Sequence, residues 1–154
     1  MEAFLFILAA LMAVAAFALH RNADKSERKF ANRPAVVTNP AKDLLTNQKY
    51  AIVKFLALVQ GASPLSAFSD EANAIVQSTI QSLGLSRPEV ERIVKVSMTH
   101  DPERELNRTL DSLAEIRDRN YLGDVFRKAM RIAQISQDTE TIEGVRHVMN
   151  ELGL

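Results

Sequence analysis

A run of seventeen residues, Ala3 to Leu19, constrains this chain more than any other feature. It carries no charge, no proline and no glycine, and it stops at His20-Arg21. At 1.5 Å per residue such a run makes a helix of roughly 25 Å, a little short of the roughly 30 Å hydrocarbon core of a bilayer. Snorkelling or local thinning covers the remainder. A buried helix of a soluble fold needs only one apolar stripe, and this segment is apolar all round. A cleaved secretory signal is the competing reading. Ala16-Phe17-Ala18 offers the small-residue site, but the region before the run, Met1-Glu2, holds an acid and no base. Residues 3–19 therefore read as an uncleaved transmembrane anchor. A secreted or periplasmic protein after signal cleavage is the alternative.

The flanks predict orientation. Arg21, Lys25, Arg28, Lys29 and Arg33 follow the run, and no Lys or Arg precedes it. Under the positive-inside rule the amino terminus lies outside and the rest of the chain on the cytoplasmic side. Residues 20–43 are polar and broken by Pro34 and Pro40, so they read as a linker that sets the distance from the membrane.

The part beyond the linker, 44–154, is long enough for one domain with one core. The whole chain balances 19 basic against 19 acidic residues. Six of the basic and four of the acidic ones fall at or before Asp43, so the domain is about two units negative. That gives no field to attract a nucleic acid. Two tyrosines and no tryptophan leave little for base stacking, and with no cysteine neither disulfides nor thiolate metal sites are available.

Helical spacing recurs from Leu44 onward, and no segment reads as a strand. Leu44, Leu45, Ile52, Phe55, Leu56 and Val59 mark a first helix ending near Gly61. A loop over Ala62–Phe68 follows. A second helix opens at Ser69, carries Ile75, Val76, Ile80 and Leu83, and closes at Gly84. Ser86-Arg87-Pro88-Glu89 is a capping box for a third, with Leu85 and Val90 as its staple. Asp101-Pro102 starts a fourth, with Leu106, Leu110, Leu113 and Ala114 on its apolar side. A break at Asn120–Gly123, with Gly123 alternatively inside the next helix, leads to a fifth with Val125, Phe126, Ala129, Met130 and Ala133. The loop Ser136–Thr139 leads to a sixth with Ile142, Val145, Val148, Met149 and Leu152. The expectation is an all-α domain of about six helices.

The two halves of that domain echo each other. Each has a helix, a polar loop, an acidic helix start, an apolar helix and a Leu-Gly-Leu end, at Leu83-Gly84-Leu85 and at Leu152-Gly153-Leu154. On these features the domain resembles the TerB-like family, which spans tellurite-resistance proteins and the membrane-proximal domain of DjlA-type co-chaperones. The resemblance implies helical hairpins with pseudo-twofold symmetry. It also implies a single amino-terminal span in a bacterial inner (cytoplasmic) membrane, with the domain in the cytoplasm. In that family acidic turns are linked to divalent metal and to stress response. Here Gln60-Gly61 stands where the first turn would read Asp-Gly, and Gln134-Ile135 stands in the second. Asp138, Glu140 and Glu143 are the nearest metal candidates. Oxygen ligation needs several converging carboxylates, and these three read more simply as acids at the positive end of a helix dipole.

Little other chemistry is legible. His20, His100 and His147 have no partner at metal-binding helical spacing. His100-Asp101-Pro102 has the wrong order for a J-domain loop, no glycine-rich phosphate loop occurs, and the serines lack a nucleophile elbow. Arg127, Lys128 and Arg131 form a small basic patch that reads as a solvated face. The expected function is a non-catalytic, membrane-anchored helical interaction module without a cofactor. Its partners would be the bilayer and a protein, or a second copy of the chain. The alternative is a metal- or stress-response regulator acting through the acidic turns.

Overall fold

The helix over 46–61 is apolar on almost every side, and that fixes its place at the centre. The computed structural model describes residues 40–99 and 102–154. The 3–19 segment, the linker up to 39 and the expected Asp101 cap lie outside the described residues. The rest is an all-α domain of seven helices, with no strand among the described residues. They are α1 (Thr46–Gly61), α2 (Pro64–Ala67), α3 (Asp70–Ser82), α4 (Arg87–Thr99), α5 (Pro102–Ala114), α6 (Arg119–Ser136) and α7 (Thr139–Glu151). A 3-10 turn, Pro40–Asp43, precedes α1 and buries Ala41 in the core, so the packed unit reaches back before Leu44. No helix among the described residues is long and apolar enough to cross a membrane.

α1 packs against α2, α3, α4, α5 and α6. Ala51, Ile52, Val53, Phe55, Leu56 and Val59 are buried on it. Facing them are Val76 and Ile80 of α3, Leu113 at the end of α5 and Leu122, Val125, Phe126, Ala129 and Ile132 of α6. Each large side chain so enclosed contributes on the order of 1.5–3 kcal/mol. Phe55 and Phe126 meet with ring centroids 4.9 Å apart in a tilted pair.

Side-chain bonds give the helix directions. Lys128 Nζ donates to Thr79 Oγ1 (3.2 Å), Arg131 Nε to Glu71 Oε1 (2.7 Å), and Tyr121 bonds to Ser82. α3 and α6 therefore run antiparallel. Ser63, just past α1, donates to the carbonyl of Ser136 at the end of α6 (3.1 Å), while Phe55 sits beside Phe126. α1 and α6 thus run in the same sense. Arg119 at the start of α6 donates to the Leu152 carbonyl at the end of α7, so those two are antiparallel.

Both Leu-Gly-Leu segments close their helices with the same bonds. Gly84 N–H donates to Gln81 O (3.0 Å) and Leu85 N–H to Ile80 O (3.3 Å). Gly153 N–H donates to Asn150 O (3.1 Å) and Leu154 N–H to Met149 O (3.0 Å). The glycines have φ of 67° and 68°, the left-handed region that a side chain disfavours. Ser69 and Asp138 cap α3 and α7 by accepting from Ala72 N–H and Thr141 N–H. Before α4, Glu89 Oε2 accepts from Ser86 N–H (2.7 Å) and also from the Ser86 hydroxyl (2.6 Å).

Several details differ from the sequence reading. The expected loop Ala62–Phe68 contains the single-turn helix α2, which raises six helices to seven. Ser63 caps it, accepting from Leu65 N–H (3.1 Å), and Pro64 opens it. The expected break at Asn120–Gly123 falls earlier, at 115–118. Asp118 supplies the cap of α6, accepting from Tyr121 N–H (2.9 Å), and Gly123 lies inside the helix. The expected loop Ser136–Thr139 shrinks to Gln137 and Asp138, because Gln137 turns the chain at φ 54°. Leu45 is not on the core face of α1 but outside it as the N-cap, and Ala114 is exposed while Ile116 is buried in its stead.

Candidate functional site

Because α1 and α6 point the same way, the turns of both antiparallel pairs lie at one end of the molecule. The helix starts of α3 and α7 lie there too. Ser63 is the seam. Its hydroxyl donates to Ser136 O, and Ser136 Oγ in turn accepts from Asp138 N–H (3.1 Å). The end so built holds Leu65 and Phe68 from the α2 turn, Asp70 and Glu71 at the start of α3, and Asp138 and Glu140 at the start of α7.

The bed of α2 is polar. Ser66 is fully buried and donates to the carbonyls of Gln60 (2.7 Å) and Ser63 (3.1 Å). Gln60 is also fully buried, and its Nε2 donates to Asn73 Oδ1 at 2.5 Å. The other ends of this amide pair, Gln60 Oε1 and Asn73 Nδ2, are buried with no hydrogen-bond partner. An unpaired buried polar group costs about 1–3 kcal/mol, so the packing here is less favourable than in the apolar centre.

The outer face of the same turn is apolar. Leu65 is 58% exposed and Phe68 67%, the highest values among the large hydrophobics of the described residues apart from Leu45 at the far end of α1. Spaced three apart across one helical turn, they share a face with exposed Pro64. Only the small side chains Ser66 and Ala67 turn inward from α2, onto a largely polar bed, while its large apolar neighbours Leu65 and Phe68 face out.

The three sequence-predicted metal candidates behave differently from one another. Asp138 is half-buried and spent on the α7 cap, where Oδ2 accepts from Thr141 N–H at 3.0 Å and from the Thr141 hydroxyl. Glu140 and Glu143 are exposed. Among the described residues, no three His, Cys, Asp or Glu side chains gather as a group able to hold a metal ion. The basic patch is partnered within the fold: Arg127 bonds to Asp124, Lys128 to Thr79 and Arg131 to Glu71. Away from this end, Lys54 on α1 pairs with the buried Glu105 of α5, a cross-helix pin that sequence reasoning missed. Their separation of 51 residues left no local signal. The pairing of Gln60 with Asn73 was missed for a similar reason, although a Gln on an otherwise apolar helix face was visible.

No family model, no curated protein and no solved structure matches this chain.

Proposed function

We propose that this chain is a membrane-tethered, non-catalytic helical interaction module of TerB-like build, anchored by residues 3–19. It holds a protein partner at the cytoplasmic face of a bacterial inner membrane. One observation carries the reading: Leu65 and Phe68 stand exposed together on a short helix whose own bed is polar. A domain of this size gains nothing in stability from showing two large side chains to water, and exposed apolar surface is what a partner buries. Matching hydrogen-bond sets at Gly84 and Gly153, and matching caps at Ser69 and Asp138, support the reading of two similar hairpin units. The spending of Asp138 on a cap favours this module over a metal-responsive regulator.

The test is site-specific photo-crosslinking in intact cells, with the full-length chain carrying a crosslinking residue at position 65 or 68. Discrete adducts with another protein are expected, absent when the probe sits at exposed Ser78. Equal adduct patterns from positions 68 and 78 would sink the reading. Protease applied from outside the membrane should leave the domain intact, and its digestion would overturn the topology.

A further inference from the structure

The apolar pair on α2 sits in acidic surroundings. Asp70 and Glu71 follow Phe68 directly at the start of α3. Asp138 and Glu140 start α7, which the Ser63–Ser136 bond brings beside the α2 turn. Against these four stands Arg131, already bonded to Glu71. A ligand for this surface has the complementary pattern: an apolar side chain among several basic ones. An anionic lipid surface has the wrong sign.

The chain itself contains such a segment. Lys25-Ser26-Glu27-Arg28-Lys29-Phe30-Ala31-Asn32-Arg33 sets one aromatic residue among four bases and one acid. It lies outside the described residues, which begin at Pro40, at the entry to α1. The α2 turn is at the opposite end of α1, whose 16 residues span about 24 Å. Phe30 lies ten positions before Pro40, and an extended chain of ten steps covers up to about 35 Å. Phe30 can therefore reach the far end of the domain that follows it, with Arg33 falling along the way.

We propose that the segment Lys25–Arg33 docks in cis on this end of the domain. Phe30 packs on Leu65 and Phe68, and Arg28 and Lys29 lie against the acids at the starts of α3 and α7. This rests on the reading of the α2 face as a docking surface and names what occupies it at rest. The segment then acts as an internal competitor: a partner must displace it. Because the contact is between exposed charges, it weakens as salt rises.

The experiment uses the full-length chain at one copy per phosphatidylcholine nanodisc, a bilayer with no net charge to compete for the basic segment. A photo-crosslinking phenylalanine analogue replaces Phe68, and linked peptides are read by mass spectrometry. Linkage to residues 25–33 of the same chain is expected, as is its absence with the probe at Ser78. Its loss is expected in Arg28→Glu/Lys29→Glu, a change outside the described residues. Absence of linkage to 25–33, linkage unchanged by that double substitution, or linkage only to lipid would each overturn the proposal. The same probe used in cells separates the two readings. Foreign-protein adducts without any 25–33 linkage sink the cis contact and leave the interaction module standing. A 25–33 linkage in nanodiscs, with no foreign adduct in cells even from the Arg28→Glu/Lys29→Glu chain, does the reverse.

Discussion

The two antiparallel pairs, α1 with α3 and α6 with α7, end alike and turn differently. Both close on a left-handed glycine with the same two backbone bonds, and both second helices begin on a side-chain cap. Between their helices, however, the first pair inserts α2 and a buried set of Gln60, Ser63, Ser66 and Asn73, while the second reverses on Gln137 and Asp138 alone. A two-residue reversal leaves no backbone to display, and its one carboxylate, Asp138, is taken up by the cap of α7. The longer connection carries its own hydrogen-bond bed and can hold Leu65 and Phe68 out. The shared parts make the scaffold, and the part that differs makes the surface.

Polar bonds at the rim align the two pairs, but the α1–α6 contact between them is a buried apolar one, so the largest effect is expected there. Phe126→Ala removes a fully buried ring that packs on Phe55 across the α1–α6 contact. It should cost about 3–5 kcal/mol by denaturant unfolding, as aromatic truncations in a core do. A double-mutant cycle with Phe55→Leu should return a coupling of about 0.5–1.5 kcal/mol. A coupling of zero would mean that the pairs fold without leaning on each other at this point.

The polar bed should respond in the opposite way to single and double changes. Gln60→Leu alone strands the Asn73 amide and should cost about 1–3 kcal/mol. Gln60→Leu/Asn73→Leu removes both half-satisfied amides and should recover most of that loss. If the double variant is as unstable as the single, the amides hold the α2 connection together and are not a cost carried by it.

Those local devices are also the part of the fold that the sequence displays. Ser69, Gly84, the Ser86–Glu89 cap and Pro102 were all legible, because each acts on residues within one helical turn. The single-turn helix α2 was read as loop, since its serines bond to Gln60 O and Ser136 O, and the second of these is 73 residues away. The start of α6 was misplaced because Asn120 and Gly123 look like breakers. Asp118 caps ahead of them, and Gly123 has open space around it inside the helix. At the candidate site the acids were visible one by one. That both turns share one end follows only from α1 and α6 running in the same sense, which no local pattern encodes. Residues 1–39, which carry the anchor reading, lie outside the described part.

The cap of α7 and the turn before it test whether the second pair is as tightly made as it looks. Asp138→Ala should cost about 1 kcal/mol, the usual worth of an N-cap. The loss should read as a lower Tm that is the same with and without millimolar Ca²⁺. A Ca²⁺-dependent rise in wild-type Tm, abolished by this substitution, would revive the metal-regulator reading. Gln137→Gly should act in the other direction. A side chain at φ 54° costs about 1–2 kcal/mol, and glycine gives back about 0.5–1 kcal/mol through its freer unfolded chain, so a net gain of at most about 1.5 kcal/mol is expected.

The smallest expected effect separates the two glycine ends by pH. Past Gly84, the Glu89 carboxylate holds the next helix start, and its bonds to the Ser86 hydroxyl and then the Ser86 N–H keep its pKa below the ordinary value. At the Gly153 end an arginine does the holding, through the bond from Arg119 to Leu152 O, and arginine does not titrate in this range. A carboxyl lowered in the folded state adds stability above its unfolded pKa and loses it as pH falls through the folded value. Acid should therefore loosen the Gly84 end through this cap while leaving the arginine contact at Gly153 charged. Glu89→Gln should lower Tm slightly at about pH 7 and by less at about pH 3, because the bonded carboxylate loses its advantage as pH falls toward its lowered pKa. Arg119→Ala should lower Tm by the same small amount at both. Equal pH dependence of the two variants would mean that Glu89 is solvated in the fold, and that the two ends differ only in sequence.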